Sequence, residues 1–81
     1  MGYLDKSFEY KWARRWIEGS IMSYARERIT LNMVLGRIRK AINMISREEI
    51  LAIISEVQKL CRSIPGGESR LQVLKEAVEK L

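Results

Sequence analysis

Eighty-one residues with a formal charge of +5 form one small domain, yet 47% of them are apolar. That is more than one core of this size hides, and it points to association, most simply a homodimer. The absence of histidine and the single cysteine, Cys61, exclude a disulfide framework within one chain and a thiolate metal cluster. The charge is uneven: residues 1–45 hold nine Lys or Arg against four Asp or Glu, and residues 46–81 hold six of each. A basic half beside a neutral one points to a polyanionic partner for the first and to packing and dimerisation for the second.

In chain order, residues 1–6 read as a short lead-in, and Ser7 as the cap of a first helix running to about Arg28. Its apolar residues fall on two arcs. Tyr10, Ala13, Ile17, Ile21 and Tyr24 share one side; Phe8, Trp12 and Trp16 lie on a separate one. A helix with two apolar sides is covered twice, so the second arc is a candidate dimer contact. Gly19 and Ser20 interrupt the helix near its middle, where a kink or a close helix approach is expected.

Thr30 is the expected N-cap of a second helix ending near Met44 or Ile45. Leu31, Val34, Leu35, Ile38, Ala41, Ile42 and Ile45 recur at helical spacing, which predicts one buried stripe. The residues left over, Asn32, Gly36, Arg37, Arg39, Lys40 and Asn43, are cations and amides without a carboxylate. Ser46 and Glu49 form a capping-box pattern that opens a third helix. Its Ile50, Ile53, Ile54, Val57, Leu60, Cys61 and Ile64 repeat the spacing of the second helix nineteen residues on. The matched stripes predict that helices two and three pair as an antiparallel hairpin. Cys61, on that stripe, reads as a small buried hydrophobe.

Pro65-Gly66-Gly67 ends the third helix. A last helix over 68–81 carries Leu71, Leu74, Val78 and Leu81, a seam too short to stand alone that must dock on the bundle or on a partner copy. Leu71, Leu74 and Val78 join Phe8, Trp12 and Trp16 as candidate dimer contacts. The fold class expected is therefore all-α, a single domain of about four helices, dimeric. No apolar run is long enough to span a bilayer, and MGYLDKSFEY is too polar for a signal peptide. Gly2 lacks the following Ser or Thr of a myristoylation signal. The cytoplasm is the location expected.

Catalysis finds no support. Glu48 and Glu49 are adjacent and diverge on a helix, Gly66-Gly67 is no phosphate loop, and no nucleophile–base pair can be assembled. The expectation is a non-enzyme without a cofactor, a metal or a small-molecule ligand.

Residues 24–42, YARERITLNMVLGRIRKAI, resemble a helix-turn-helix of the kind in lactose-repressor-like regulators. Ala25-Arg26-Glu27 would close the first helix of that motif, Thr30 would start the recognition helix, and Val34 and Ile38 would be its inward anchors. The turn of such motifs holds a glycine; here Arg28-Ile29 stands in its place with one residue fewer. The resemblance implies double-stranded DNA as partner, with the second helix in the major groove. Asn32 would then meet an adenine edge and Arg37 a guanine, while Gly36 leaves room for close approach. Arg26, Arg28, Arg39, Lys40 and Asn43 would hold phosphates beside Thr30, and Arg14 and Arg15 would extend the track. The function expected is a regulator of transcription or replication. The alternative is a helical-bundle adaptor or structural subunit whose partner is a protein. A third reading, anionic membrane attachment through the first helix, ranks lower because its faces are not cleanly divided.

Overall fold

The structure, a computed structural model, describes residues 6–81, with side chains from Phe8 onward. Four helices follow one another: α1 (Lys6–Ala25), α2 (Leu31–Ala41), α3 (Arg47–Leu60) and α4 (Gly67–Glu79). The expected all-α architecture is what forms. The lead-in falls outside the described residues except for Lys6, as does the side chain of Ser7. The backbone at Ser7 is already inside α1, so that helix is under way before the expected cap.

Helix α1 runs unbroken through Gly19 and Ser20. It stops three residues short of Arg28 through a defined C-terminal motif: the Arg28 amide donates to the Ser23 carbonyl at 2.8 Å and the Glu27 amide to that of Tyr24 at 3.0 Å. This is the Schellman pattern, which requires a left-handed residue between helix and loop. Glu27 takes that conformation, at φ 61°. The inner arc of α1 is core, with Ala13, Ile17, Ile21 and Tyr24 buried.

Thr30 caps α2 as expected, its hydroxyl accepting from the Met33 amide at 3.2 Å. The helix proper ends at Ala41. The turn that follows keeps Ile45 buried through a bond from its amide to the Ala41 carbonyl at 2.8 Å. Ser46 caps α3, accepting from the Glu49 amide at 3.2 Å. The reciprocal half of the box is not made, because the Glu49 carboxylate turns to Arg14 instead, at 2.9 Å.

The hairpin expected between helices two and three is replaced by a different pairing. Helix α2 lies along α1 and approaches α4, α3 pairs most extensively with α4 while also touching α1, and α2 barely meets α3. Both stripes are nonetheless interior: Val34, Ile38 and Ala41 on α2 and Ile50, Ile53, Ile54 and Val57 on α3 belong to one core. Matching spacing told which side of each helix is covered, not by which neighbour.

Helix α3 ends at Leu60, earlier than its apolar stripe, and Leu60 points to solvent at 71% exposure. Cys61 is the C-cap, fully buried, with its thiol 3.6 Å from the Met22 sulfur. Gly66, at φ 75°, starts α4 in a left-handed conformation. A Cβ at Gly67 would press on Cys61 and Ile64 at 3.2–3.3 Å, so a glycine lets α4 begin against the end of α3. Leu71, Leu74 and Val78 are fully buried in the core of the single chain. That corrects their assignment as dimer contacts: these three residues dock on their own bundle, while Leu81 at the end of the seam stays exposed. None of the described helices is long and apolar enough to cross a membrane.

Candidate nucleic-acid interface

The side of α2 opposite Val34 and Ile38 carries Asn32, Gly36, Arg39 and Lys40, at positions four and three or four apart along the helix. Asn32, Arg39 and Lys40 are exposed, Gly36 is half-buried, and a Cβ at Gly36 would meet open space. Asn43, also exposed, lies past the helix in the turn that leads to Ser46. At the other end of α2 the α1–α2 connection presents exposed Arg26, Arg28 and Thr30. The first turn of α2 has no acidic residue. Its free amides and the cations before it therefore share one sign.

The cations on and before α2 stand outside the ion pairs of the described residues, as Lys11, Arg15, Lys59 and Lys75 also do on the other helices. The ion pairs among the described residues join Arg14 to Glu49 and Glu56, Arg62 to Glu68 and Arg70 to Glu27. They include none of Arg26, Arg28, Arg39 and Lys40. A cation without a carboxylate beside it keeps its full field for an outside anion.

Two expected members of the track are engaged within the fold. Arg37 is half-buried, and its Nη1 donates to the Ser20 hydroxyl at 3.1 Å. Ser20, almost fully buried, donates in turn to the Trp16 carbonyl at 2.9 Å. Arg37 therefore ties α2 to α1 rather than facing outward, which corrects its expected place at a guanine edge. Arg14, held between two glutamates of α3, is likewise removed from the phosphate track; Arg15 remains exposed on α1.

Arg70 of α4 does work that the sequence reading missed. Its Nε donates to the Ala25 carbonyl at 3.0 Å, Nη2 donates to the same oxygen and to Pro65, and Nη1 lies 3.6 Å from the Glu27 carboxylate. A cation thus sits on the negative end of α1 and holds the turn that precedes α2. Tyr24, packed beside it, has its phenol pushed above the usual 10.0 by burial, with Arg70 opposing. The signal available in the sequence was the orphan carbonyls that every helix end leaves. It does not name the partner that satisfies them.

The chain has no significant match to a protein-family model, to a curated protein or to a solved structure.

On the far side of α1, Phe8 and Trp12 are 52% and 58% exposed. Trp12 stacks on half-buried Trp16 with ring centres 5.8 Å apart and planes 15° from parallel. Met44 lines a shallow apolar groove with Phe8 and Trp12. The outer arc of α1 read from the sequence is therefore a surface, distinct from the α2 face.

Proposed function

We propose that this protein binds double-stranded DNA through the outer face of α2 and the turn before it, as a small regulator of transcription or replication that works as a homodimer. The observation that carries the reading is the set of exposed cations outside the ion pairs of the described residues, Arg39 and Lys40 on the acid-free side of α2 and Arg26 and Arg28 in the turn before it. Phosphates take those cations, and Asn32 with the open space at Gly36 meets the base edges. A left-handed residue closes the first helix of the resembling segment, but it is Glu27, one position before the Arg28-Ile29 that stands in place of the motif's glycine. Arg37 and Arg70 are positioning residues, one fixing α2 on α1 and the other fixing the turn.

The test is fluorescence anisotropy with a random duplex of about 30 base pairs, at about 50 and 200 mM salt. Binding is expected at the lower salt and weakens steeply at the higher. The Arg28→Ala, Arg39→Ala, Lys40→Ala triple variant loses it while keeping its helical circular dichroism. A second reading, a bundle subunit whose partner is a protein, is favoured by the exposed apolar arc of α1. The absence of duplex binding at low salt would select it.

A further inference from the structure

The outer arc of α1 has three properties that belong together. Trp12 projects from it. Gly19 lies on the same side two turns on, with nothing within 4 Å of where its Cβ would be. Lys11, Arg15 and Glu18 flank that side and line one shallow groove with Trp12. None of these three charged residues belongs to an ion pair among the described residues. The arc thus has a projecting ring, an exposed glycine over which another side chain can approach the backbone, and charges of both signs beside them.

We infer that the outer arc of α1 is the interface with a second copy of this chain, the two α1 helices running antiparallel with each residue i opposite residue 31 − i. In that register Trp12 of one copy enters the space over Gly19 of the other. Glu18 falls opposite position 13, midway between Lys11 and Arg15 of the second copy. Each lies about 3 Å away along the axis at 1.5 Å per residue, within reach of long side chains. Antiparallel helices bring like edges together, so the two Arg15 side chains also approach each other near the two-fold, and the Glu18 of each copy offsets that repulsion. The two-fold axis makes the Trp12–Gly19 and Glu18–cation contacts twice.

The parallel alternative puts the two charged edges on opposite sides of the pair, so Glu18 meets neither Lys11 nor Arg15 of the second copy, and it sets Trp12 against Trp12 and Gly19 against Gly19. The antiparallel orientation joins Glu18 to both cations and Trp12 to Gly19. The α1–α1 pairing leaves the exposed side of α2 out of the contact and stands whether or not α2 binds DNA.

Sedimentation equilibrium from about 1 to 500 µM reads the association directly, and this range brackets a dimer of micromolar affinity. The wild-type chain is expected to dimerise. Lys11→Glu, which reverses two of the flanking pairs, and Glu18→Lys, which reverses all four, raise the dimer Kd by about tenfold or more. The triple variant Lys11→Glu, Arg15→Glu, Glu18→Lys returns it toward the wild-type value, since every pair re-forms with its signs exchanged. Gly19→Leu fills the space that Trp12 enters and lowers dimer content without changing the helical circular dichroism. A wild-type chain that stays monomeric overturns the inference. So does a dimer indifferent to the single reversals, or one that the triple variant fails to restore. A monomer whose tryptophan emission shifts on vesicles of anionic phospholipid also overturns it and assigns the arc to a membrane surface.

Discussion

Glu27 holds a backbone conformation that an L side chain adopts at a cost of about 1 kcal/mol, and it does so because the end of α1 needs a left-handed residue there. Its compensation is small: the carboxylate lies 3.6 Å from Arg70 but is largely exposed, and such pairs contribute a few tenths of a kcal/mol. Glu27→Gly is therefore expected to stabilise the fold by about 0.5 kcal/mol, read as a rise of about 2–4 °C in thermal melting. Arg70 has the opposite weight. It supplies charged donors to Ala25 and Pro65 carbonyls at a junction of α1 and α4, and each such bond counts for more than a neutral one. Arg70→Ala is expected to cost about 2 kcal/mol in denaturant unfolding. Arg70→Lys does not recover it, because an ammonium lacks the planar fork. Beside it, burial raises the Tyr24 pKa above 10.0. The neutral phenol is the form the fold favours. Its contribution is fully present below pH 10, and it is lost as pH climbs from 10 through the higher folded-state value. Tyr24→Phe flattens that alkaline fall in a melting series from pH 8 to about 11.

At the scale of the helix, burial pattern and pairing pattern separate. Ile38 on α2 and Ile54 on α3 are both fully buried, and truncating either to Ala is expected to cost about 2–5 kcal/mol. Leu60, on the same read stripe as Ile54, is exposed as the last residue of α3. Leu60→Ala is expected to change stability by less than about 0.5 kcal/mol, and melting of the three variants side by side checks both statements. This contrast marks what the sequence could tell. Apolar recurrence at 3.6 residues identified the four helices and the covered sides of α2 and α3, because burial at that period is a property of one helix. The choice of neighbour is not: α2 meets α1 where matching stripes implied α3, since loop length and the shape of the whole core decide contacts among several greasy sides. Side-chain reach was equally hidden. Arg37 and Arg14 occupy the positions expected of them, yet their guanidinium groups turn inward to Ser20 and to the α3 glutamates. The exposed positions of the candidate site, from Arg26 to Asn43, were legible because exposure follows from the side of the helix that the stripe leaves free.

For the whole molecule the charge division is one of placement: cations outside the ion pairs, such as Lys59 on α3 and Lys75 on α4, share their helices with glutamates, whereas α2 carries no carboxylate. In the C-terminal half Arg62 meets Glu68 and Arg70 meets Glu27 across the α1–α2 turn, so their fields are largely met within the fold. Arg26, Arg28, Arg39 and Lys40 have no such partners among the described residues, so they dominate the field around α2. Salt dependence of duplex binding counts the cations that displace counterions, at about 0.9 in log–log slope for each phosphate neutralised. With these four cations engaged the proposed interface predicts a slope of about −3 to −4 for each chain bound. Arg39→Ala and Arg28→Ala should each reduce its magnitude by about 1. Arg62→Ala should leave it unchanged, although it removes the same formal charge, because that side chain lies outside the α2 face and already stands near a carboxylate. If the binding instead tracked net charge alone, all three variants would shift the slope alike. Titrations of the same duplex at four or more salt concentrations distinguish the two outcomes, and equal slopes for the Arg39 and Arg62 variants would remove the α2 face from the mechanism.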